Sequence, residues 1–169
     1  TEVEEIEVEA MTPADLFRLH GIPHYLKIDV EGMDVAVLRA LAGFEQRPAY
    51  VSLESSATSF KELVEEFRVL KSLGYDRFKL SPQHNVRKMI APDGYAFEEH
   101  ASGPFGEDLP SPWIGQREAM AEYRGVFILY DLYDAVQSGM FKGDLRDFRL
   151  KYGHDAGGWY DTHARHHAV

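Results

Sequence analysis

The sequence predicts an α/β domain built on a doubly wound sheet, and three observations carry that expectation. β-rich runs and helix-periodic segments alternate in a βαβαβαβ order over residues 2–82. The helical segments have start and stop signals: Thr12-Pro13 opens the first, and Gly43 and Gly74 close the next two. The run Tyr25-Leu26-Lys27-Ile28-Asp29-Val30-Glu31-Gly32 reads as a strand ending in two carboxylates and a glycine, the end at which open α/β sheets place ligand chemistry. Past residue 82 the alternation fails. The expectation is one domain in three parts: a βαβ core over 1–82, a long irregular insertion over 83–113 and a helical C-terminal region over 114–169.

Residues 2–10 alternate acidic side chains with Val3, Ile6 and Val8, the pattern of a half-exposed edge strand. Thr12 caps a helix over 13–20, which Gly21 stops. In the strand over 25–31, period two sets Lys27, Asp29 and Glu31 on one side and Leu26, Ile28 and Val30 on the other. Residues 33–42 favour helix, and residues 49–54 form a second strand ending in Glu54. Phe60, Leu63, Val64, Phe67 and Leu70 recur at three-four spacing in a long helix over 59–73. Residues 76–80 give a further strand before Ser81-Pro82. The insertion holds four prolines, and its run Ala101-Ser102-Gly103-Pro104-Phe105-Gly106-Glu107 is too particular for a spacer. Residues 116–122 read as helix; the apolar run 126–130 suits either its continuation or a final strand, and helix is preferred. Residues 144–152 read as a short helix.

Composition excludes several classes. A net charge of −10 withholds the basic face that nucleic-acid binding needs and disfavours docking on anionic lipid. The absence of cysteine excludes disulfides, a thiol nucleophile and cysteine-ligated metal, and fits a cytoplasmic protein. No apolar run approaches the roughly 18–20 residues that span a bilayer, and no secretory signal is present.

Three ionisable residues in one strand break the apolar habit of a buried parallel sheet. Lys27 and Asp29 could form a local ion pair, with Asp29 or Glu31 capping the next helix; or the carboxylates could be a reaction site. Glu54, at the neighbouring strand end, falls in the same crevice. Together Asp29, Glu31 and Glu54 could hold Mg²⁺ or Ca²⁺, and Glu54 could equally pin a loop. His163, His166 and His167, at i, i+3 and i+4, would share one face of a helix, as a metal clamp or as an exposed tail; no metal ligand is assigned among them. His163 is the better candidate for acceptor contact or acid–base work. Trp113 and Trp159 suit either a pocket wall or the core.

The runs Val8-Glu9-Ala10-Met11-Thr12, Leu26-Lys27-Ile28-Asp29-Val30-Glu31-Gly32 and Tyr50-Val51-Ser52-Leu53-Glu54 resemble the FkbM family of S-adenosylmethionine-dependent methyltransferases. The K-I-D-V-E-G word, followed about twenty residues later by a strand ending in glutamate, is the most specific part of the likeness. The later Ser102–Gly106 and Trp159-Tyr160-Asp161-Thr162-His163-Ala164 runs look like segments of one bacterial subset. The resemblance implies a Rossmann-like methyltransferase sheet with a final antiparallel strand. It also implies a D-x-G-x-x-x-G loop for the cofactor and an acidic residue for its ribose, and the sequence has neither. The expectation is therefore a partial sheet, with the edge beside residues 25–31 covered by a missing N-terminal segment or by a second copy in a homo-oligomer.

On this reading the chain belongs to an S-adenosylmethionine-dependent enzyme that methylates a hydroxyl of a sugar or other small molecule. Asp29 is the expected general base or acceptor-orienting group and also faces the cofactor, Glu31 supports it, and Lys27 keeps Asp29 charged by proximity. Glu54, His163 and Trp159 are the expected acceptor contacts. Two other readings stand beside it: a truncated, cofactor-less binding or interaction module, and a carboxylate- or metal-dependent hydrolase.

Overall fold

A computed structural model describes residues 6–30, 32–56, 59–97, 102–140 and 159–169. It is a mixed α/β structure with four α-helices and one five-stranded sheet among those residues. In chain order the elements are α1 (Pro13–His20), β1 (Tyr25–Ile28), α2 (Asp34–Ala40), β2 (Tyr50–Glu54), α3 (Phe60–Ser72), β3 (Tyr75–Pro82), β4 (Ile114–Gly115), α4 (Gln116–Gln137) and β5 (Tyr160–His166).

Local chemistry sets the boundaries much as expected. Thr12 accepts the Asp15 backbone N–H and Pro13 occupies the first turn, so α1 starts there; it ends at Gly21, whose φ of 80° few other residues adopt. Ser59 caps α3 through the Glu62 N–H. The apolar run at 126–130 continues α4 as a helix.

Two expectations fail. Residues 6–10 form no strand: Ile6 and Val8 are each 75% exposed, and among the described residues no strand pairs with them; the rest of that segment, 1–5, lies outside the described residues. The C-terminal region is not helical throughout. Residues 160–166 form β5, which runs antiparallel between β2 and β3, giving the order β1-β2-β5-β3-β4. The reason is its period: Tyr160, Thr162 and Ala164 face the helices while Asp161, His163 and Arg165 face the other way. Residues three apart in a strand point to opposite sides, so His163 and His166 share no face. The short helix expected over 144–152 lies outside the described residues.

The two faces of the sheet differ sharply. Ile28, Val51, Leu53, Phe78 and Ala164 on one face join Leu38, Leu41, Leu63, Phe67, Leu70 and Tyr123 of the helices in one core. Phe67 packs at a tilt against Phe78 with ring centres 4.8 Å apart, and Tyr123 bonds Thr162 at 2.7 Å. The opposite face is polar. The described helices do not cover it; the segment 103–113 does, so the doubly wound arrangement is replaced by helices on one side and an irregular strap on the other.

Behind β2, Glu66 of α3 is 6% exposed and accepts the Ser56 N–H at 3.0 Å, and its second carboxyl oxygen has no partner. Burial raises its pKa to about 7. The native state therefore holds this proton more tightly than the unfolded chain. The associated stability is full below about pH 4.5 and is lost as pH rises through about 7. Glu66→Gln should flatten that decline, about 3 kcal/mol across the window, in urea titrations at a series of pH values; an unchanged slope would show that another group carries it.

Candidate active site

Strand register arranges the polar face in rows. Lys27 stands opposite Ser52, Ser52 opposite His163, and His163 opposite Lys79. Two residues toward the carboxyl ends of β1 and β2, Glu54 stands opposite Asp161 and Asp161 opposite Ser81, with Asp29 next after Lys27 at the same period. Two residues the other way lie Tyr25, Tyr50, Arg165 and Arg77. Ser52, Lys79, Ser81, Asp161 and His163 are all buried.

The centre is an ion pair. Lys27 donates to Asp161 at 2.6 Å, while Asp29 lies 3.8 Å from the same ammonium and is half exposed. Lys27 was expected to serve Asp29 first; instead its closer partner is a carboxylate 134 residues away. Asp161 is the better partner because it projects from the central strand and is nearly sealed from solvent. Burial raises the Asp161 pKa, and the Lys27 hydrogen bond and charge oppose that shift. Tyr25 and Ser52 share a hydroxyl bond of 2.6 Å beside the pair. His163 sits between Lys27 and Lys79; burial, reinforced by both ammonium groups, lowers its pKa to about 3, so the ring is neutral, and its Nε2 is buried without a partner.

The strap closes the face. Lys79 is 3% exposed, and it donates to the carbonyls of Gly106 (3.0 Å) and Leu109 (2.8 Å) under the Trp113 ring. Burial pulls its pKa down. Glu107 accepts from Trp113 and Arg165, both at 2.9 Å, and Phe105 lies flat on Tyr25 with ring centres 4.0 Å apart. Gly106 holds φ at 61°, which favours glycine, and a Cβ there would touch the Tyr50 ring at 3.4 Å. The Ser-Gly-Pro-Phe-Gly-Glu run is thus the part of the insertion that fits this surface.

Of the expected site residues, the structure brings Lys27, Asp29, Glu54 and His163 onto one sheet face. Glu54 is exposed at the rim. Trp159, 54% exposed, leads into β5, and its carbonyl accepts the Gln83 N–H at 3.0 Å. Glu31 lies outside the described residues. Among the described residues no group of three or more carboxylate or histidine side chains is placed to hold a metal ion, and no helix is long and apolar enough to cross a membrane. Sequence reasoning missed Asp161 and Lys79. Reading period two through residues 160–165 would have placed Asp161 and His163 together.

Residues 1–77, from before α1 into the start of β3, match the family model described as Methyltransferase FkbM domain, and over that part the chain is similar to the family. No curated protein and no solved structure matches the chain.

The geometry makes the Lys27–Asp161 pair a coupled unit. Breaking it from either side, by Lys27→Met or Asp161→Asn, should cost roughly 3 kcal/mol in urea unfolding, because a charged or polar group is left buried and unmatched. The double variant should lose less than the sum of the two; strict additivity would show that the pair carries no coupling.

Proposed function

We propose that this chain, whose first 77 residues match the FkbM methyltransferase domain model, forms the acceptor side of an S-adenosylmethionine-dependent O-methyltransferase site. The acceptor is a hydroxyl of a sugar or another small molecule. The observation that carries the reading is Asp29: a half-exposed carboxylate one residue beyond β1, on the same face as a buried Lys27–Asp161 pair. Strand ends in α/β sheets are where ligands meet such groups.

The cofactor, when bound, supplies an electrophilic methyl group. The residues here fit it on one side only. A cradle needs successive backbone N–H groups in a glycine-rich turn between strand and helix; after β1 there is a single such glycine, Gly32, with φ at 81° and open space around it. Asp29 is the one cofactor contact assigned, and no step is drawn through the cofactor itself. Among the described residues no strand pairs with the outer edge of β1, and that edge is where another segment, or a second copy of the chain, would add the remaining wall.

What these residues do is position and deprotonate. Aligning an acceptor is worth up to roughly 7–11 kcal/mol in favourable cases, and removing its proton contributes roughly 10²–10⁴-fold. Asp29 takes the hydroxyl proton on a carboxylate oxygen. Lys27, fixed by Asp161, keeps a positive charge 3.8 Å from that carboxylate. Glu54 orients the acceptor from the next strand, and neutral His163 lies in the buried row behind.

A thermal titration with S-adenosylhomocysteine tests the reading. Binding should stabilise the protein by about 2.7 kcal/mol at a hundredfold excess over Kd. Asp29→Asn should retain that stabilisation and its fold while losing at least about tenfold in methyl transfer to a hydroxyl acceptor. No stabilisation would favour the cofactor-less binding module, and full turnover in Asp29→Asn would remove Asp29 as the base.

A further inference from the structure

A cleft of about 520 Å³ opens at the amino ends of β1 and β2, the far end of the sheet from Asp29 and Glu54. Its size is that of a small-molecule site. Ile22 and Ala49 give it an apolar wall, while His24, Arg47, His166 and Glu45 supply its ionisable groups.

Arg47 is held but not neutralised. One of its terminal nitrogens donates to the carbonyls of Phe44 and Gln46, the latter at 2.9 Å, which fixes the guanidinium plane. Its Nε is buried with no hydrogen-bond partner, and among the described residues it forms no ion pair. His166 and His167 stack with ring centres 4.3 Å apart. The His166 Nδ1 accepts the Ala168 N–H at 3.2 Å, and the His167 Nδ1 donates to the Gly74 carbonyl at 2.7 Å. That pair is built in: Gly74 has φ at 95°, and a Cβ there would lie 2.5 Å from the His166 Nε2. Burial comes first in lowering the His166 pKa and the neighbouring His167 adds to it; a hydrogen bond to the Leu73 backbone opposes them, followed by smaller effects of Arg47, which lowers it, and Asp76, which raises it.

We propose that this cleft binds a small oxyanion, a carboxylate or a phosphate group, held by Arg47 with His24 and His166 around it. The planar guanidinium fork suits two oxygens of either group, and among the lining side chains the carboxylate of Glu45 opposes the anion. The site stands apart from the methyl-transfer reading and holds whether or not that reading does.

Amide NMR titrations of the whole chain with inorganic phosphate, and separately with acetate, test it, with sodium chloride keeping ionic strength constant. Saturable shifts in residues 22–24, 45–49 and 166–169 are expected with at least one probe; phosphate alone identifies a phosphoryl site, and acetate as well identifies a general oxyanion site. Arg47→Gln should weaken binding by at least about tenfold, and Glu45→Gln should strengthen it. The proposal is overturned if neither probe saturates or if Arg47→Gln binds as the parent does. Should Arg47→Gln not fold, unchanged affinity in Glu45→Gln overturns it equally.

Discussion

A sheet face that buries Ser52, Lys79, Ser81, Asp161 and His163 must be given hydrogen-bond partners from outside the sheet. That constraint organises the molecule. An apolar helix laid there would leave ammonium and carboxylate groups unmatched at a cost of several kcal/mol each. The strap over 103–113 avoids this by offering backbone carbonyls to Lys79, a carboxylate to Arg165 and aromatic rings to Tyr25 and Tyr50. Helices can then concentrate on the other face, where the continuous core lies.

The division of labour explains why so much chemistry gathers in one layer. Lys27 and Asp161 neutralise each other in the interior, which leaves Asp29 and Glu54 at the rim as the carboxylates nearest solvent. His163 is kept neutral by its surroundings. The candidate site sets two exposed carboxylates over a floor that holds the Lys27–Asp161 pair, a buried Lys79 and a neutral His163, and the proposed acceptor reading rests on that contrast.

Much of the first half of the chain was legible because its signals are local. Thr12-Pro13, Ser59 and Gly74 mark helix ends by hydrogen-bonding and φ requirements that depend on a few neighbouring residues. The same locality explains the success at α4. Residues 6–10 misled because alternation alone cannot supply a partner strand. β5 was hidden for the opposite reason. Its residues are polar on one side and small on the other, and only the neighbours β2 and β3 make that composition a strand interior. With β5 unseen, Asp161 could not be matched to Lys27, so the site was half read: the rim residues by position, the buried partner not at all. The family match, over residues 1–77, stops before β5 as well.

The insertion of β5 between β2 and β3 has a kinetic side. The two strands it joins precede it in the chain by a long stretch, and nearly every contact it makes is distant in sequence. Loop closure over such separations costs entropy before any contact repays it, so high contact order slows folding. Until β5 docks, β2 and β3 each show an unpaired inner edge, and Lys27 and Lys79 lack the layer that shelters them. A chain emerging from the ribosome carries those edges exposed while β5 is still being made, and this is the interval in which it is most open to pairing with the wrong neighbour.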